Sequence, residues 1–181
     1  MKITLSVVFC LIFAFTVLGQ QRIGSMAEVF NGTSLEGKDI YLDQYRGNVV
    51  VLNFWSTRCV ICHEEIPKLN KLSQKHAGKD VVFLALTMEN ETKVSLYLQK
   101  RPFQFTIVPN SLGVLLKYAD RDNRGNVNMG FPAYFIINQA GELVHKSSGW
   151  DKTGQIDSTI TKLLSSGATK IISADSAKKV D

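Results

Sequence analysis

Cysteine is scarce in this chain, and that scarcity limits the chemistry the sequence can support. Three cysteines occur among 181 residues, which excludes the dense disulfide framework that small secreted domains use in place of a large core. Cys10 lies inside an N-terminal apolar run, so only Cys59 and Cys62 remain if that run is removed. The loop that these two would close is very short. A bridge there would restrict the unfolded chain little, which argues against a purely structural disulfide.

A strong charge bias is also missing. The net charge is +5, and the basic residues are scattered along the chain rather than clustered. No basic stripe with interleaved aromatic residues occurs, so we do not expect nucleic acid binding. The hydrophobic content of 45% is that of a globular domain with a real core. We expect this domain to be a monomer.

Long apolar runs are confined to the N-terminus. Met1-Lys2 is a short positive start, and the run from Ile3 to Leu18 carries no charge. This run is shorter than the ~20 residues that a membrane-spanning helix needs, and the pattern is typical of a secretory signal peptide. We therefore predict a signal peptide over 1–19, a folded domain over 20–166 and a flexible tail over 167–181. An uncleaved membrane anchor stays open as the alternative for the first segment.

Hydrophobic periodicity predicts that strands and helices alternate along the folded part. The predicted elements are a hairpin over 33–42, strands over 49–55, 81–87, 105–108, 133–137 and 142–147, and helices over 59–76, 92–100, 112–118 and 153–165. The polar stretch 120–130 is predicted to be a loop. This order indicates an α/β domain with a mixed sheet, in which a parallel β-α-β unit comes first and an antiparallel pair follows.

Two cysteines stand where the first buried strand passes into a helix. Cys59 opens the predicted helix, where backbone N–H groups and the helix dipole favour its thiolate form, and the neighbouring Arg58 adds a cation. The i, i+3 spacing brings Cys62 onto the same helical face, close enough to form a disulfide with Cys59. This arrangement indicates reversible thiol–disulfide exchange, with Cys59 as the nucleophile and Cys62 as the resolving thiol.

A carboxylate follows the two cysteines on the same face of the helix. Glu65 lies at i+3 from Cys62, so we predict that it exchanges a proton with the buried Cys62 thiol. The adjacent Glu64 lies off that face and is expected to be solvated.

These residues resemble a known family. Residues 54–67 match the pattern F-W-x-T-x-C-x-x-C-x-x-E-x-P at every fixed position, and Gly130-Phe131-Pro132 leads into an apolar strand. Both features are similar to the extracytoplasmic TlpA/ResA-like thiol–disulfide oxidoreductases, which have a thioredoxin-like fold: a mixed β-sheet flanked by helices, with an extra N-terminal β-hairpin. The resemblance covers about residues 30–165. It implies a cis peptide bond at Pro132 and a functional carboxylate at Glu65.

The resemblance also implies how a substrate is held. The residues expected to contact the substrate are Trp55, Arg58, Phe131 and Pro132, although core packing is nearly as good an explanation for Trp55. Arg58 and the pair Ala133-Tyr134 depart from the residues common in the family, and we expect these departures to lie on the substrate-facing surface. His63, His145 and Trp150 receive no role from the sequence.

Two other functions remain open as alternatives. Cys59 to His63 also spells C-x-x-C-H, the haem attachment pattern of c-type cytochromes, with Met88 or Met129 as a distal ligand. This reading leaves Trp55 and the Gly-x-Pro strand unexplained. A peroxiredoxin would share the fold, but Leu52 and Ser56 occupy the positions where its peroxide-binding proline and threonine are needed.

The sequence therefore predicts an exported thiol–disulfide oxidoreductase, periplasmic or otherwise extracytoplasmic, that acts on protein thiols and disulfides. The resemblance implies that it works as a reductase supplied by a membrane electron donor, with cytochrome c maturation as a candidate role. No cofactor and no metal site are expected.

Overall fold

The computed structural model describes the backbone of residues 21–177 and the side chains of residues 21–166. The predicted signal peptide over 1–19 lies outside the described residues. In chain order the elements are β1 (Asn31–Thr33), β2 (Asp39–Tyr41), a 3-10 helix (Leu42–Tyr45), β3 (Val49–Phe54), α1 (Val60–Lys75), β4 (Val81–Leu86), α2 (Glu91–Leu98), β5 (Thr106–Val108), α3 (Leu112–Tyr118), β6 (Asp120–Arg121), β7 (Val127–Asn128), β8 (Ala133–Ile137), β9 (Leu143–Ser148) and α4 (Thr153–Ala177).

A five-stranded mixed sheet forms the centre of the domain, in the order β5-β4-β3-β8-β9. Strands β3, β4 and β5 are parallel, whereas β8 and β9 pair antiparallel to their neighbours. Every residue of β3 is buried, as expected for a central strand that is covered on both faces. The predicted mixed sheet, with its parallel unit first and its antiparallel pair second, is confirmed.

The alternation of side chains along β3 divides the core into two layers. Val50, Leu52 and Phe54 contribute to the larger hydrophobic cluster, which also takes in the N-terminal segment and α3. Val49 and Val51 point to the opposite face, where they pack with residues of α1 and α4. By the same alternation, Asn53 at the carboxyl end of β3 and Trp55 just after it face α1.

The predicted N-terminal hairpin is present as the antiparallel pair β1 and β2. Gly37 lies in its turn with φ of 78°, a conformation that glycine adopts without the steric cost of a side chain. The hairpin contributes the buried residue Ile40 to the larger cluster, together with Phe30 just before it. It is therefore an integral part of the core.

Two stretches differ from the prediction. The loop predicted over 120–130 contains the short antiparallel ladder of β6 and β7. Helix α4 continues beyond the predicted end at Ser165 as far as Ala177, so the stretch predicted as a flexible tail begins as helix. No proline follows Pro132 in the sequence, and Gly167 alone costs a helix only about 1 kcal/mol. Within residues 21–177, no helix combines the length and apolar character needed to cross a membrane.

Candidate functional site

A disulfide joins Cys59 and Cys62 at the start of α1, with their Cα atoms 5.2 Å apart. Cys59 is the N-cap of the helix, and its sulfur accepts a hydrogen bond from the Cys62 backbone N–H at 3.1 Å. Cys59 is half-buried, whereas Cys62 is 2% exposed. A backbone donor aimed at a helix N-terminal sulfur favours its thiolate form after reduction. Of the two sulfurs, Cys59 is therefore the one that a partner can reach.

A second carboxylate, which the sequence analysis did not single out, fixes the loop before the disulfide. Glu89 accepts hydrogen bonds from the Ser56 hydroxyl at 2.8 Å, the Thr57 hydroxyl at 3.0 Å and the Thr57 backbone N–H at 3.2 Å. The Thr87 hydroxyl also donates to it, and Lys93 Nζ lies at 3.4 Å. Burial opposes its ionisation, but the hydrogen bonds from Thr87, Ser56 and Thr57 outweigh burial and lower the pKa of Glu89 below its ordinary value.

The sequence did not predict a role for Glu89, because a single glutamate after a strand forms no distinctive pattern. The available signal was topological. Parallel neighbours β3 and β4 end at the same edge of the sheet, so polar residues that follow each of them converge there.

Trp55 does not contact solvent. Its side chain is fully buried, with ring centroids 4.7 Å from Phe103 and 5.2 Å from Tyr97. Burial gives Trp55 a packing role, and the expected contact between Trp55 and a substrate stays a prediction. The indole belongs to the aromatic packing under the disulfide, and it shares a buried cluster with Cys62.

The side chain of His63 on α1 is partly buried and contacts other residues of the protein. Its Nε2 atom lies 2.9 Å from the Thr57 carbonyl oxygen, and its ring centroid lies 5.1 Å from that of Tyr97. In a c-type haem protein both cysteine sulfurs would bond to the haem and this imidazole would ligate the iron. Here the two sulfurs bond to each other and Nε2 has a backbone partner, which disfavours the haem alternative.

The Phe131–Pro132 peptide bond is cis, as the family resemblance implied. Pro132 is buried, and its carbonyl oxygen accepts a hydrogen bond from the Gly149 N–H at 2.8 Å. Phe131 is partly exposed and packs against the same buried cluster as Cys59. The fold thus brings Phe131, from a segment far away in the sequence, to the buried cluster that contains Cys62. Arg58, the other predicted substrate contact, is exposed beside Cys59.

The pair Ala133-Tyr134 lies inside the protein. We expected this departure from the family to face the substrate, but Ala133 is 3% exposed and Tyr134 is fully buried. That expectation was wrong. Tyr134 is the second residue of β8, and its side chain packs between the sheet and α1 among Val51, Leu69 and Ile156. Burial, and secondarily the charge of Glu65, raise the pKa of the Tyr134 hydroxyl.

Glu65 is fully buried on the inner face of α1, between Cys62 and Leu69 along the helix. Its Oε1 atom accepts a hydrogen bond from Lys68 Nζ at 2.8 Å, and its Oε2 atom has no hydrogen-bond partner among the described residues. Lys68 Nζ also lies 3.6 Å from Asp151 Oδ1 and 4.6 Å from the centre of the Trp150 ring. The hydrogen bond from Lys68 to Glu65 raises the pKa of Lys68 above its ordinary value.

The remaining residues considered in the sequence lie apart from this chemistry. Glu64 is exposed, as expected. His145 is half-buried on β9, where its Nε2 atom lies 2.9 Å from the Ser147 hydroxyl and burial lowers its pKa. The described part of the chain contains no group of three or more His, Cys, Asp or Glu residues arranged to hold a metal ion.

Sequence comparison shows which family of known proteins this chain matches. The profile of the family described as Redoxin matches residues 22–164. The thiol–disulfide oxidoreductase ResA of Bacillus thuringiensis is 29% identical over 150 residues, covering 82% of this chain and 83% of the relative. ResA of Halalkalibacterium halodurans is 32% identical over 130 residues, covering 71% of this chain and 69% of the relative.

A solved structure supports the fold assignment. The crystal structure of a thiol:disulfide interchange protein of the thioredoxin family from Chlorobium tepidum has a TM-score of 0.67 and 20% sequence identity. The match covers 81% of this chain and 99% of that one. The predicted thioredoxin-like fold is thereby confirmed, together with its flanking helices and extra N-terminal hairpin.

Proposed function

Since this chain belongs to the Redoxin family and is a thiol–disulfide oxidoreductase, we propose that it reduces protein disulfides outside the cytoplasm. The observation that carries the proposal is the asymmetry of the site. A reachable Cys59 stands at the helix N-terminus, and a buried Cys62 lies one turn before a buried carboxylate, Glu65. A pair built in this way can hand two electrons to a partner in two directed steps.

The first step belongs to Cys59. In the reduced protein its thiolate, stabilised by the Cys62 N–H and the helix dipole, attacks one sulfur of a substrate disulfide. The substrate S–S bond breaks, a mixed disulfide forms between Cys59 and the substrate, and the other substrate sulfur leaves as a thiolate.

The second step belongs to Cys62 and Glu65. The Cys62 thiol gives its proton to the Glu65 carboxylate and attacks the Cys59 sulfur, which releases the second substrate sulfur and closes the Cys59–Cys62 disulfide. The substrate has gained two electrons and the protein has lost two. A thiol donor must then restore the reduced pair, and we assign this task to a membrane-bound electron donor.

Phe131, Pro132 and Arg58 form the surface on which we place the substrate chain. Phe131 packs against the same buried cluster as Cys59 and remains partly exposed, and Arg58 is exposed next to the nucleophile. Pro132 acts through its backbone, because its ring is buried. The exposed side chains of Val60 and Ile61 adjoin the disulfide, so an unfolded segment with apolar residues fits this surface best.

The proposed location rests on the sequence. The apolar run from Ile3 to Leu18 has the pattern of a secretory signal, so we propose export, with residues 1–19 removed, residues 20–166 as the working domain and the protein acting as a monomer in the periplasm or its equivalent. The family resemblance suggests the cysteines of apocytochrome c as substrate. An uncleaved run would instead tether the same domain to the membrane.

A glutathione redox titration of the protein, read by alkylation and intact mass, tests the direction. We expect a two-thiol transition near or below about −270 mV, the value of thioredoxin, because a reductant must hold its electrons weakly. A transition near about −120 mV, the range of strongly oxidising exchange proteins, would overturn the assignment as a reductase.

Substrate capture tests the assignment of the two cysteines. The variant Cys62→Ser should accumulate mixed disulfides at Cys59, because it can complete only the first step. The matched variant Cys59→Ser should accumulate none. Equal trapping by the two variants would contradict the roles given to them.

A further inference from the structure

The structure points to a positioning residue for the second step. We propose that Lys68 holds Glu65 as a carboxylate oriented to take the Cys62 proton, and that the turn carrying Trp150 and Asp151 keeps Lys68 in place. This inference rests on the proton-accepting role proposed for Glu65. Neither Lys68 nor the turn was identified from the sequence, although Trp150 was considered without a role.

The need for a counter-ion follows from the burial of Glu65. An ionised carboxylate removed from water is costly unless it is paired and hydrogen-bonded. Glu65 has no exposed surface, and the only hydrogen bond to its carboxylate among the described residues comes from Lys68 at 2.8 Å. Without that ammonium group, the buried carboxylate would have neither a counter-ion nor a hydrogen bond among the described residues.

Lys68 is the only ion-pair partner of Glu65 among the described residues. From β8 the neighbour is the Tyr134 hydroxyl, whose raised pKa keeps it neutral. From β3 it is Asn53, the Cα partner of Tyr134 across the sheet, whose side-chain oxygen also lacks a partner. Helix α4 packs against α1, but its Asp157 is paired with Lys75 and His76 at the other end of α1. Asp151 faces the same ammonium as Glu65.

The position of Lys68 is itself constrained. Trp150 covers the ammonium with its ring face at 4.6 Å, a cation–π contact, and Asp151 lies on its solvent side at 3.6 Å. Both residues sit in a turn in which Gly149 and Asp151 have positive φ values of 84° and 55°. The Gly149 N–H bonds to the Pro132 carbonyl. The same turn therefore joins Lys68 to the cis-proline segment of the site.

Lys68 stays positively charged at neutral and mildly alkaline pH. Its hydrogen bond to Glu65 raises the pKa of Lys68 above the ordinary 10.5, so the ammonium persists through neutral and mildly alkaline pH. Lys68 can therefore act as a constant charge, and the proton that moves belongs to Cys62 and Glu65.

The test is the pH profile of the second step. Reduced protein is mixed with glutathione disulfide, quenched with acid, and the decay of the mixed disulfide at Cys59 is followed by intact mass. Lys68→Met and Lys68→Gln remove the charge, and the glutamine variant keeps a hydrogen-bond donor in case the methionine variant folds poorly. Lys68→Arg restores the charge. Lys71→Met is the matched control, because Lys71 is an exposed lysine of the same helix.

We expect both neutral variants to move the acidic limb of the profile upward by about one pH unit or more, since an opposite charge this close typically shifts a carboxyl equilibrium by about 1–3 units. On that limb the rate follows the carboxylate fraction, so the loss at fixed pH is about tenfold or more. Lys68→Arg and Lys71→Met should keep the wild-type limb.

Glu65→Gln separates the two ways in which the inference can fail. If it abolishes the acidic limb while Lys68→Met and Lys68→Gln leave the limb in place, Glu65 is the base and Lys68 is merely structural, which overturns the inference. A lowered melting temperature without a shifted limb belongs to this outcome. If Glu65→Gln keeps the wild-type profile, the role proposed for Glu65 itself is wrong, and the inference goes with it.

Discussion

Two carboxylates, the partly buried Glu89 and the fully buried Glu65, lie near the disulfide, and their hydrogen bonding differs. Glu89 receives hydrogen bonds from two hydroxyls of the preceding loop, from a backbone N–H of that loop and from Thr87. Glu65 is buried more deeply, yet it has a single donor, Lys68, and one oxygen without a partner. The first carboxylate is saturated with donors, whereas the second is only half satisfied.

The difference indicates a division of labour. A carboxylate that accepts several hydrogen bonds is held as an anion, and its contribution is to stability and geometry. A carboxylate that keeps a free lone pair in a dry setting can take a proton with little rearrangement. Glu89 therefore positions the Ser56-Thr57 loop that leads to Cys59, and Glu65 is the group suited to exchange a proton with Cys62.

The strongest way to break the comparison is to remove the charge of Glu65. The variant Glu65→Gln should slow disulfide exchange by about 10²–10⁴-fold, the usual contribution of a positioned acid or base, because Cys62 loses its proton acceptor. Turnover of insulin reduction measures this effect. The control is Glu64→Gln, an exposed neighbour on the same helix, which should keep wild-type turnover. Equal losses in both variants would remove the special role of Glu65.

Removing the charge of Glu89 should act on stability first. Glu89→Gln replaces one carboxylate oxygen by an amide NH2 group, which would face the hydroxyl and N–H donors that now bind that oxygen. We therefore expect a loss of about 1–3 kcal/mol in the free energy of unfolding. Urea denaturation measures it, with Glu91→Gln, on the exposed start of α2, as the control. A variant of unchanged stability would show that the hydrogen bonds to Glu89 contribute no net free energy.

The stability difference due to Glu89 should depend on pH with a definite sign. The pKa of Glu89 is lowered in the folded protein from its ordinary 4.5, so its contribution is fully present above that value and is lost as the pH falls through the folded pKa. Melting curves of the wild type and Glu89→Gln should therefore be furthest apart near pH 7 and converge in acid. A gap that widens in acid would contradict the direction of the shift.

The smallest expected effect on stability comes from removing the hydroxyl of Tyr134, whose pKa the charge of Glu65 helps to raise. The Tyr134 hydroxyl is buried without a hydrogen-bond partner among the described residues. Tyr134→Phe should then leave stability unchanged or raise it by about 1 kcal/mol, because an unsatisfied buried group is removed. Chemical denaturation decides this. A clear loss of stability would mean that the hydroxyl has a partner in solution, such as a water shared with Glu65, and would narrow the contrast between the two carboxylates.

The sequence predicted the reactive pair because its chemistry is local. Cys59 and Cys62 lie within one helical turn, and Glu65 lies one turn further on, so helical geometry alone brings them to one face. Strand β3 and helix α3 were also predictable, since continuous apolar runs and simple end signals define them. Local propensity was less informative for α4. This helix continues past Ser165 although Gly167 weakens a helix at that point.

The sequence by itself determined the fold class, the mixed sheet and the thiol–disulfide chemistry, because periodicity and short-range spacing follow directly from the order of residues. Only the tertiary structure decided that Trp55 and Tyr134 face inward, that Glu89 holds the loop before Cys59, and that Trp150 and Asp151 surround Lys68. Each of these depends on which strand edges and turns meet in space. That meeting is set by the packing of whole elements, which no short stretch of sequence contains.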